Sequence, residues 1–372
     1  MATYLLTGGC GFIGSHLAEA LLARGHAVRV LDDLSTGKME NLRPGATLVR
    51  GDVSDAAAVR AAMEGVDGCF HLAAIASVER GVRELLATHR VNLSGTLAVF
   101  DAAAPRRLPV VYASSAAAYG DAGPLPLEET TYPRPLSAYG ADKLGCEQHA
   151  RAAGQVHGLP SCGLRFFNVF GPRQDPKSPY SGVISIFCDR LSRGEGVDVY
   201  GDGEQTRDFI FVADVVAALL AAMDKASPEA PVMNVCTGEP TSVRTLAETI
   251  ASLCGVALDL RSKPARLGEI RHSLGSRARA KAALGLGTPV PLRDGLAATL
   301  DWMKTAGAAP GYSSSHPTNQ AMPAQSSTET PTMTSVASGH PNRAEGSAAP
   351  DGRSDAAGTP ASSPETALGL VR

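Results

Sequence analysis

The sequence predicts an α/β protein whose first half forms a doubly wound parallel sheet. Short apolar runs alternate with longer amphipathic stretches, from "ATYLLT" at residues 2–7 to "SCGLRFF" at residues 161–167. These runs are nearly continuous in apolar character, as expected of strands in a parallel sheet covered by helices on both faces. With 372 residues, 44% of them hydrophobic, the chain can bury a core for one large domain or two modest ones.

The elements follow in order. Strand "ATYLLT" leads to a helix over Phe12 to Arg24, then strands "AVRVLD" and "TLVRG". A helix from Asp55 to Met63, strand "DGCFHL" and a helix reaching about Ala103 come next. Strand "PVVYAS", a helix from about Ala138 to His157 and strand "SCGLRFF" complete the rhythm. After Gly171 the pattern changes. "GPRQDPKSPYSG" has too much proline and glycine for an element interior and reads as an ordered loop. A helix near Val183 to Arg193, strand "VDVYG" and a helix in the second half of "TRDFIFVADVVAALLAAM" follow. Residues 232–306 supply two short strands and three helices, ending near Trp302. The expected division is a first domain over 1–171, rejoined by elements at about 209–237. A smaller α/β substrate domain comprises 172–208 and 238–307. The segment 308–372 is dense in Ser, Thr, Pro, Ala and Gly, cannot offset its ordering entropy by apolar burial, and is expected to be a disordered tail.

Composition narrows the function. A net charge of −3 offers no electrostatic basis for nucleic acid or an anionic membrane as main partner. No apolar stretch reaches the length of a membrane span, and no leader segment precedes the first strand, so a cytoplasmic protein is expected. Seven cysteines, at 10, 69, 146, 162, 188, 236 and 254, show neither metal-ligand spacing nor a disulfide framework. Buried reduced thiols and no metal are expected.

Chemistry concentrates in "TGGCGFIGSHL", which packs four glycines into residues 8–14. Gly8, Gly11 and Gly14 follow a strand and open a helix, and Asp32 lies at the end of the next strand, eighteen residues past Gly14. A glycine triplet alone would mark only a turn. In this context it is the fingerprint of a Rossmann-type site: glycines admit the pyrophosphate to a helix N-terminus, and the acid bonds the adenosine ribose. Asp32 would repel a 2′-phosphate, which favours NAD over NADP.

In "SAYGADK", Tyr139 and Lys143 are four residues apart and share one helix face. Such a pair is often an ordinary surface. Following "YASSAAAYG" late in a dinucleotide-binding half, it can be a base, because an adjacent ammonium and a cationic nicotinamide both favour the phenolate.

These segments, with "LDDLSTGK", "GDVSD", "HLAAIASVERG", "VNLSGT", "RFFNVFGPRQDP", "GDGEQTRDFIFVADV" and "GEIRHS" in that order, cover about four fifths of the chain. The chain thereby resembles an extended short-chain dehydrogenase/reductase of the NAD-dependent epimerase/dehydratase family, most similar to the UDP-glucose and UDP-N-acetylglucosamine 4-epimerases. The resemblance implies a UDP-sugar substrate, tightly held NAD and a homodimer formed through helices near 80–103 and 138–157. It places Phe12, Ile13, Asp33, Ser35, Asp52, Val53, Leu72, Ala73, Ala74, Asn92 and Phe166 around the cofactor with the glycines and Asp32. It makes Ser115 the catalytic hydroxyl beside Tyr139 and Lys143. Tyr139 would take the sugar C4 proton while hydride passes to NAD, then returns to the other face of a 4-keto intermediate. Arg207 and Arg266 would bind the diphosphate, Asn168 the sugar-diphosphate region, and Val199 and Tyr200 the uracil. Val183, Ser77 and Ser273 would complete the substrate site, the small Ser273 leaving room at sugar C2 for an N-acetyl group. Related dehydratases carry an Asp-Glu pair after the catalytic hydroxyl; here Ala116 and Ala117 stand there and can perform no acid–base step. Other 3- or 5-epimerases, dehydratases and reductases of the fold, and a non-catalytic NAD-binding scaffold, are the alternatives. Arg207 could instead pair with its neighbour Asp208 at the surface.

Overall fold

The apolar runs assemble as a sheet of parallel strands. A computed structural model describes residues 1–176, 182–265 and 270–308. Among the described residues twelve strands occur in chain order: β1 (Thr3–Thr7), β2 (Ala27–Asp32), β3 (Thr47–Arg50), β4 (Gly68–His71), β5 (Val110–Ser115), β6 (Ser161–Phe166), β7 (Asn168–Phe170), β8 (Val197–Tyr200), β9 (Thr206–Phe211), β10 (Val232–Val235), β11 (Pro240–Ser242) and β12 (Leu260–Lys263). The helices are α1 (Phe12–Ala23), α2 (Ala56–Met63), α3 (Val78–Arg83), α4 (Leu85–His89), α5 (Gly95–Ala103), α6 (Ala138–His157), α7 (Val183–Ser192), α8 (Val212–Met223), α9 (Val243–Cys254), α10 (Ala278–Leu284) and α11 (Leu292–Ala308). The central sheet has the order β10-β6-β5-β4-β1-β2-β3 and every pairing in it is parallel. Two smaller sheets, β11-β9-β7 and β12-β8, lie outside it.

Both faces of the central sheet are covered. On one, Leu17 and Leu21 of α1 and Val215 and Leu219 of α8 pack with Leu6, Val30 and Phe70. On the other, Val59 and Met63 of α2, Val99 and Phe100 of α5 and Cys146 and Ala150 of α6 pack on Leu5, Leu31 and Tyr112. Each fully buried Val, Leu, Phe or Met side chain among these contributes about 1.5–3 kcal/mol. A separate core joins Ile184, Phe187 and Leu191 of α7 to Leu246 and Ile250 of α9 and Leu296 and Leu300 of α11. Local signals set the helix ends. Asp55 caps α2 by accepting from the Ala57 amide at 2.9 Å, Ser137 caps α6 by accepting from that of Gly140 at 3.1 Å, and left-handed Gly158 stops α6.

Three details differ from the sequence expectation. The helix expected to run up to Ala103 is broken: α3 and α4 are separated at Glu84, and a π-helical turn over Arg90–Ser94 precedes α5. Gly81 lies against the start of α6 and Gly95 against Val53. Residues 232–306 contain three strands rather than two, since the mostly exposed segment Leu260–Lys263 pairs with β8. The last helix extends past Trp302 to Ala308. The expected tail from 309 onward lies outside the described residues. No helix among the described residues is long and apolar enough to cross a membrane.

Candidate active site

Strand β1 has β2 on one side and β4 on the other, so strand order reverses there and a crevice opens beyond the carboxyl ends. The glycine loop enters it. Gly8 has φ +71°, and a Cβ there would stand 2.8 Å from the Ala73 nitrogen; a Cβ on Gly14 would stand 2.1 Å from the Gly8 carbonyl oxygen. Neither neighbour is a side chain that could swing away. The loop can therefore close only with glycine at these positions. Gly11 caps α1 without a side-chain acceptor, which leaves the first-turn amides for an anionic group.

Asp32 is 7% exposed and accepts from the Cys10 and Leu34 amides, each at 2.9 Å. Burial raises its carboxyl above the ordinary range, and these two donors oppose that rise. Asp33 is exposed and holds the Ser35 amide and hydroxyl. Asp52 accepts from the Ser54 amide at 2.8 Å, and Val53 is buried beside Gly95.

A buried polar chain supports the crevice. Thr96 donates to the Asn92 carbonyl at 2.6 Å, so its oxygen accepts from His71 Nε2 at 3.0 Å. His71 Nδ1 then accepts from the Thr7 hydroxyl at 2.7 Å, whose oxygen receives the Leu72 and Ala73 amides, each at 3.2 Å. Asn92 holds Ile75 through both its amide groups. Burial and the charge of Lys143 keep His71 neutral, pushing its pKa down to about 3. The contribution of Thr7, His71 and Thr96 was not foreseen, because their partners are distant in sequence and carry no shared spacing.

Ser115, Tyr139 and Lys143 come together at this cleft. Ser115 Oγ accepts from the Ala117 amide at 3.1 Å. A Cβ on Gly140 would lie 2.4 Å from the Ala117 carbonyl oxygen, so this turn rests directly on the first turn of α6. Lys143 is 2% exposed, donates to the Ala113 carbonyl at 2.8 Å, and its Nζ lies 5.9 Å from the Tyr139 ring centroid. One cleft of about 740 Å³ is lined by Gly8, Gly11, Phe12, Ile13, Gly14, Asp32, Asp33, Ser35, Asp52, Val53, Leu72, Ala73, Ala74, Ser115, Tyr139, Lys143, Phe166 and Asn168. That volume lies within the range of cofactor sites, and the glycine cradle, helix N-terminus and ribose-side carboxylate suit NAD. Arg80, Arg90 and Gln174 also line the cleft and were not singled out from sequence.

Other expected residues lie elsewhere. Asn92 is fully buried behind the cleft wall. Ser77 is buried and caps α3 by accepting from the Arg80 amide at 3.0 Å. Val183 begins α7 next to Gly182, which does line the cleft. Val199 is buried in β8 and Tyr200 ends that strand. Arg207 on β9 donates to the Thr206 and Arg271 carbonyls, and the Ser273 amide donates to the Thr206 carbonyl at 3.1 Å. Asp208, adjacent to Arg207, is fully buried and accepts from the Thr237 amide and hydroxyl and the Gly238 amide. Arg266 lies outside the described residues. Among the described residues no group of His, Cys, Asp and Glu could hold a metal ion, and every cysteine is free.

Known proteins resemble this chain in sequence and fold. Residues 4–236 match the NAD dependent epimerase/dehydratase family. The UDP-glucose 4-epimerase of Mycolicibacterium smegmatis is 36% identical over 308 residues, covering 81% of this chain and 98% of its own. The crystal structure of UDP-glucose 4-epimerase from Thermotoga maritima, with UDP-glucose, aligns with TM-score 0.79 and 36% identity, covering 82% of this chain and 99% of that one. UDP-N-acetylglucosamine 4-epimerase from Methanobrevibacter ruminantium, in complex with UDP-N-acetylmuramic acid, aligns with TM-score 0.78 and 35% identity over the same shares. With its glycine loop, parallel sheet and cofactor cleft in place, the chain belongs to the NAD dependent epimerase/dehydratase family.

Proposed function

We propose that the protein catalyses NAD-dependent 4-epimerisation of a UDP-hexose or UDP-N-acetylhexosamine through a transient 4-keto sugar. The observation that carries this reading is that Ser115, Tyr139 and Lys143 line the same continuous cleft as the dinucleotide-binding residues. When bound, NAD supplies the two-electron acceptor and donor at sugar C4. Tyr139 Oη takes the C4 hydroxyl proton and later returns it. Ser115 Oγ bonds the same oxygen and orients it. Lys143 Nζ lies 5.9 Å from the Tyr139 ring centroid, and its bond to the Ala113 carbonyl holds the ammonium in place. Arg207, with Arg266, is assigned to the diphosphate, where a planar guanidinium can make paired contacts. Val199 and Tyr200 serve the uracil, and Ser273 limits the group at C2. Residues 1–171, with the returning elements at about 209–237, are assigned to the cofactor, and 172–208 with 238–307 to the nucleotide sugar.

The family also contains dehydratases. Removal of water from the sugar needs an acid next to the catalytic hydroxyl, and the side chains of Ala116 and Ala117 supply none. A homodimer is assigned to the helices near 80–103 and 138–157, where Val82, Leu86 and Val156 are 77%, 81% and 73% exposed. Seven free cysteines, six of them buried, suit a reducing compartment such as the cytoplasm.

The test is incubation of the purified protein with UDP-N-acetylglucosamine and with UDP-glucose, separately and without added cofactor. The expected result is the galacto epimer of at least one, slowed about 10²- to 10⁴-fold in Tyr139→Phe while bound NAD is retained. NAD in the denatured protein with no conversion of either sugar would overturn the substrate assignment and leave the cofactor assignment standing.

A further inference from the structure

One turn beyond Lys143, on the face of α6 that carries Tyr139, stands Glu147. Its side chain is 5% exposed and that of Arg165 on β6 is 6% exposed. The guanidinium grips the carboxylate with both hands, Nε to Oε1 at 2.8 Å and Nη2 to Oε2 at 2.6 Å. Ser114, next to Ser115, donates to the same Oε1 at 2.5 Å. Strand register sets Ser114 opposite Arg165 and Arg165 opposite Asn234, making a buried polar row across β5, β6 and β10. The guanidinium carbon lies 4.5 Å from the Tyr119 ring centroid, and the Tyr119 hydroxyl donates to Asn234 Oδ1 at 2.7 Å. Neither Glu147 nor Arg165 lines the cleft.

Stability does not account for such a cluster. A buried ion pair is commonly no more stabilising than apolar residues of the same volume. Here Arg165 Nη1 is also buried without a hydrogen-bond partner, which adds a desolvation cost. What a bidentate fork supplies and apolar packing does not is a fixed distance and angle. Two successive residues of β5 are thereby held from two successive turns of α6: Ala113 by Lys143 and Ser114 by Glu147.

We propose that Glu147, Arg165 and Ser114 form a positioning clamp that sets α6 against the end of β5, so that Tyr139 and Ser115 meet one substrate oxygen. This rests on the assignment of Tyr139 and Ser115 as the catalytic pair. None of the three clamp residues is itself assigned a chemical step.

The test replaces the pair by apolar residues of similar size, Glu147→Leu with Arg165→Met, and measures Tm, bound NAD, kcat and KM beside the parent and Tyr139→Phe. The expected result is a Tm equal to or above that of the parent, full NAD content, KM within about threefold, and kcat lower by about 10- to 100-fold, the scale of a misplacement near 1 Å. Arg165→Lys, which keeps the charge and loses the fork, should fall between. A folded, NAD-loaded double variant with kcat within about twofold of the parent would overturn the proposal. If the double variant does not fold, Ser114→Ala decides: kcat about 3- to 10-fold lower at unchanged Tm supports the clamp, and unchanged kcat overturns it. A parent without epimerase activity would defeat the functional assignment and the clamp with it. An active parent, an inactive Tyr139→Phe and a fully active double variant would defeat the clamp alone.

Discussion

At the carboxyl ends of β1 and β4 the recognition surface is largely backbone: the amides of α1, the carbonyl of Gly8 and the main chain of residues 72–75, kept close by glycines and by a buried chain of hydroxyls, imidazole and amide. Around β8, β9 and residues 271–273, Val197, Val199, Phe209 and Ile210 are buried, and the charged side chains at the rim form half-exposed ion pairs, such as Arg244 with Glu204 and Arg271 with Asp202. The first region tolerates almost no added atom. The second can exchange its exposed rim side chains, such as Arg244 and Arg271, without disturbing the core beneath them. Under the proposed function, the rigid part would hold the cofactor and the exposed rim would meet the group that distinguishes one substrate from another.

The largest expected effect breaks the rigid side. Gly14→Ala places a methyl 2.1 Å from the Gly8 carbonyl oxygen, and neither backbone can yield cheaply. Stability should fall by about 3 kcal/mol or more, and NAD released on denaturation should drop below about a tenth of the parent amount. Normal NAD content in this variant would show that the loop is as adaptable as the opposite end. On the adaptable side, Arg207→Ala should raise KM for the UDP-sugar about 10- to 100-fold, the loss of charge-assisted phosphate bonds, with kcat within about threefold. An unchanged KM would remove Arg207 from the substrate site.

The buried chain offers a subtler test through pH. Folding lowers the pKa of His71 from its ordinary 6.5 to about 3, so between those values the unfolded chain binds a proton that the native chain does not. Its contribution is present above pH 6.5 and is lost as pH falls toward 3, with a slope of at most about 1.4 kcal/mol per pH unit. His71→Gln should reduce the pH dependence of urea-measured stability in this window by up to one proton. An unchanged slope would mean that His71 is protonated in the native state. The smallest effect belongs to the exposed pairs: Arg244→Ala should change stability by less than about 1 kcal/mol and Tm by about 2 °C or less.

Legibility followed sequence distance. Gly8, Gly11 and Gly14, their spacing to Asp32, and the Tyr139 and Lys143 pair are local patterns, and each could be read before any fold was known. The chain from Thr7 through His71 and Thr96 to Asn92 links residues up to 64 positions apart and has no period to detect. Arg207 and Asp208 illustrate the opposite hazard. Adjacent opposite charges suggest an ion pair, yet neighbours on a strand point to opposite faces, and Asp208 is buried among the amides of residues 237 and 238. The strand over Leu260–Lys263 escaped notice because three of its four residues are exposed and show no alternation.

By itself, the sequence determined the α/β class, the cofactor loop and the two helix positions bearing Tyr139 and Lys143, because each depends on spacing along one or two elements. Only the tertiary structure decided that Ser115 lines the same cleft as those residues, that the helix expected to reach Ala103 breaks into separate pieces, and that Glu147 meets Arg165 beneath the cleft. Those outcomes depend on which strands become neighbours and how closely helices approach them. Backbone packing enforces both, and no local pattern of residues encodes either.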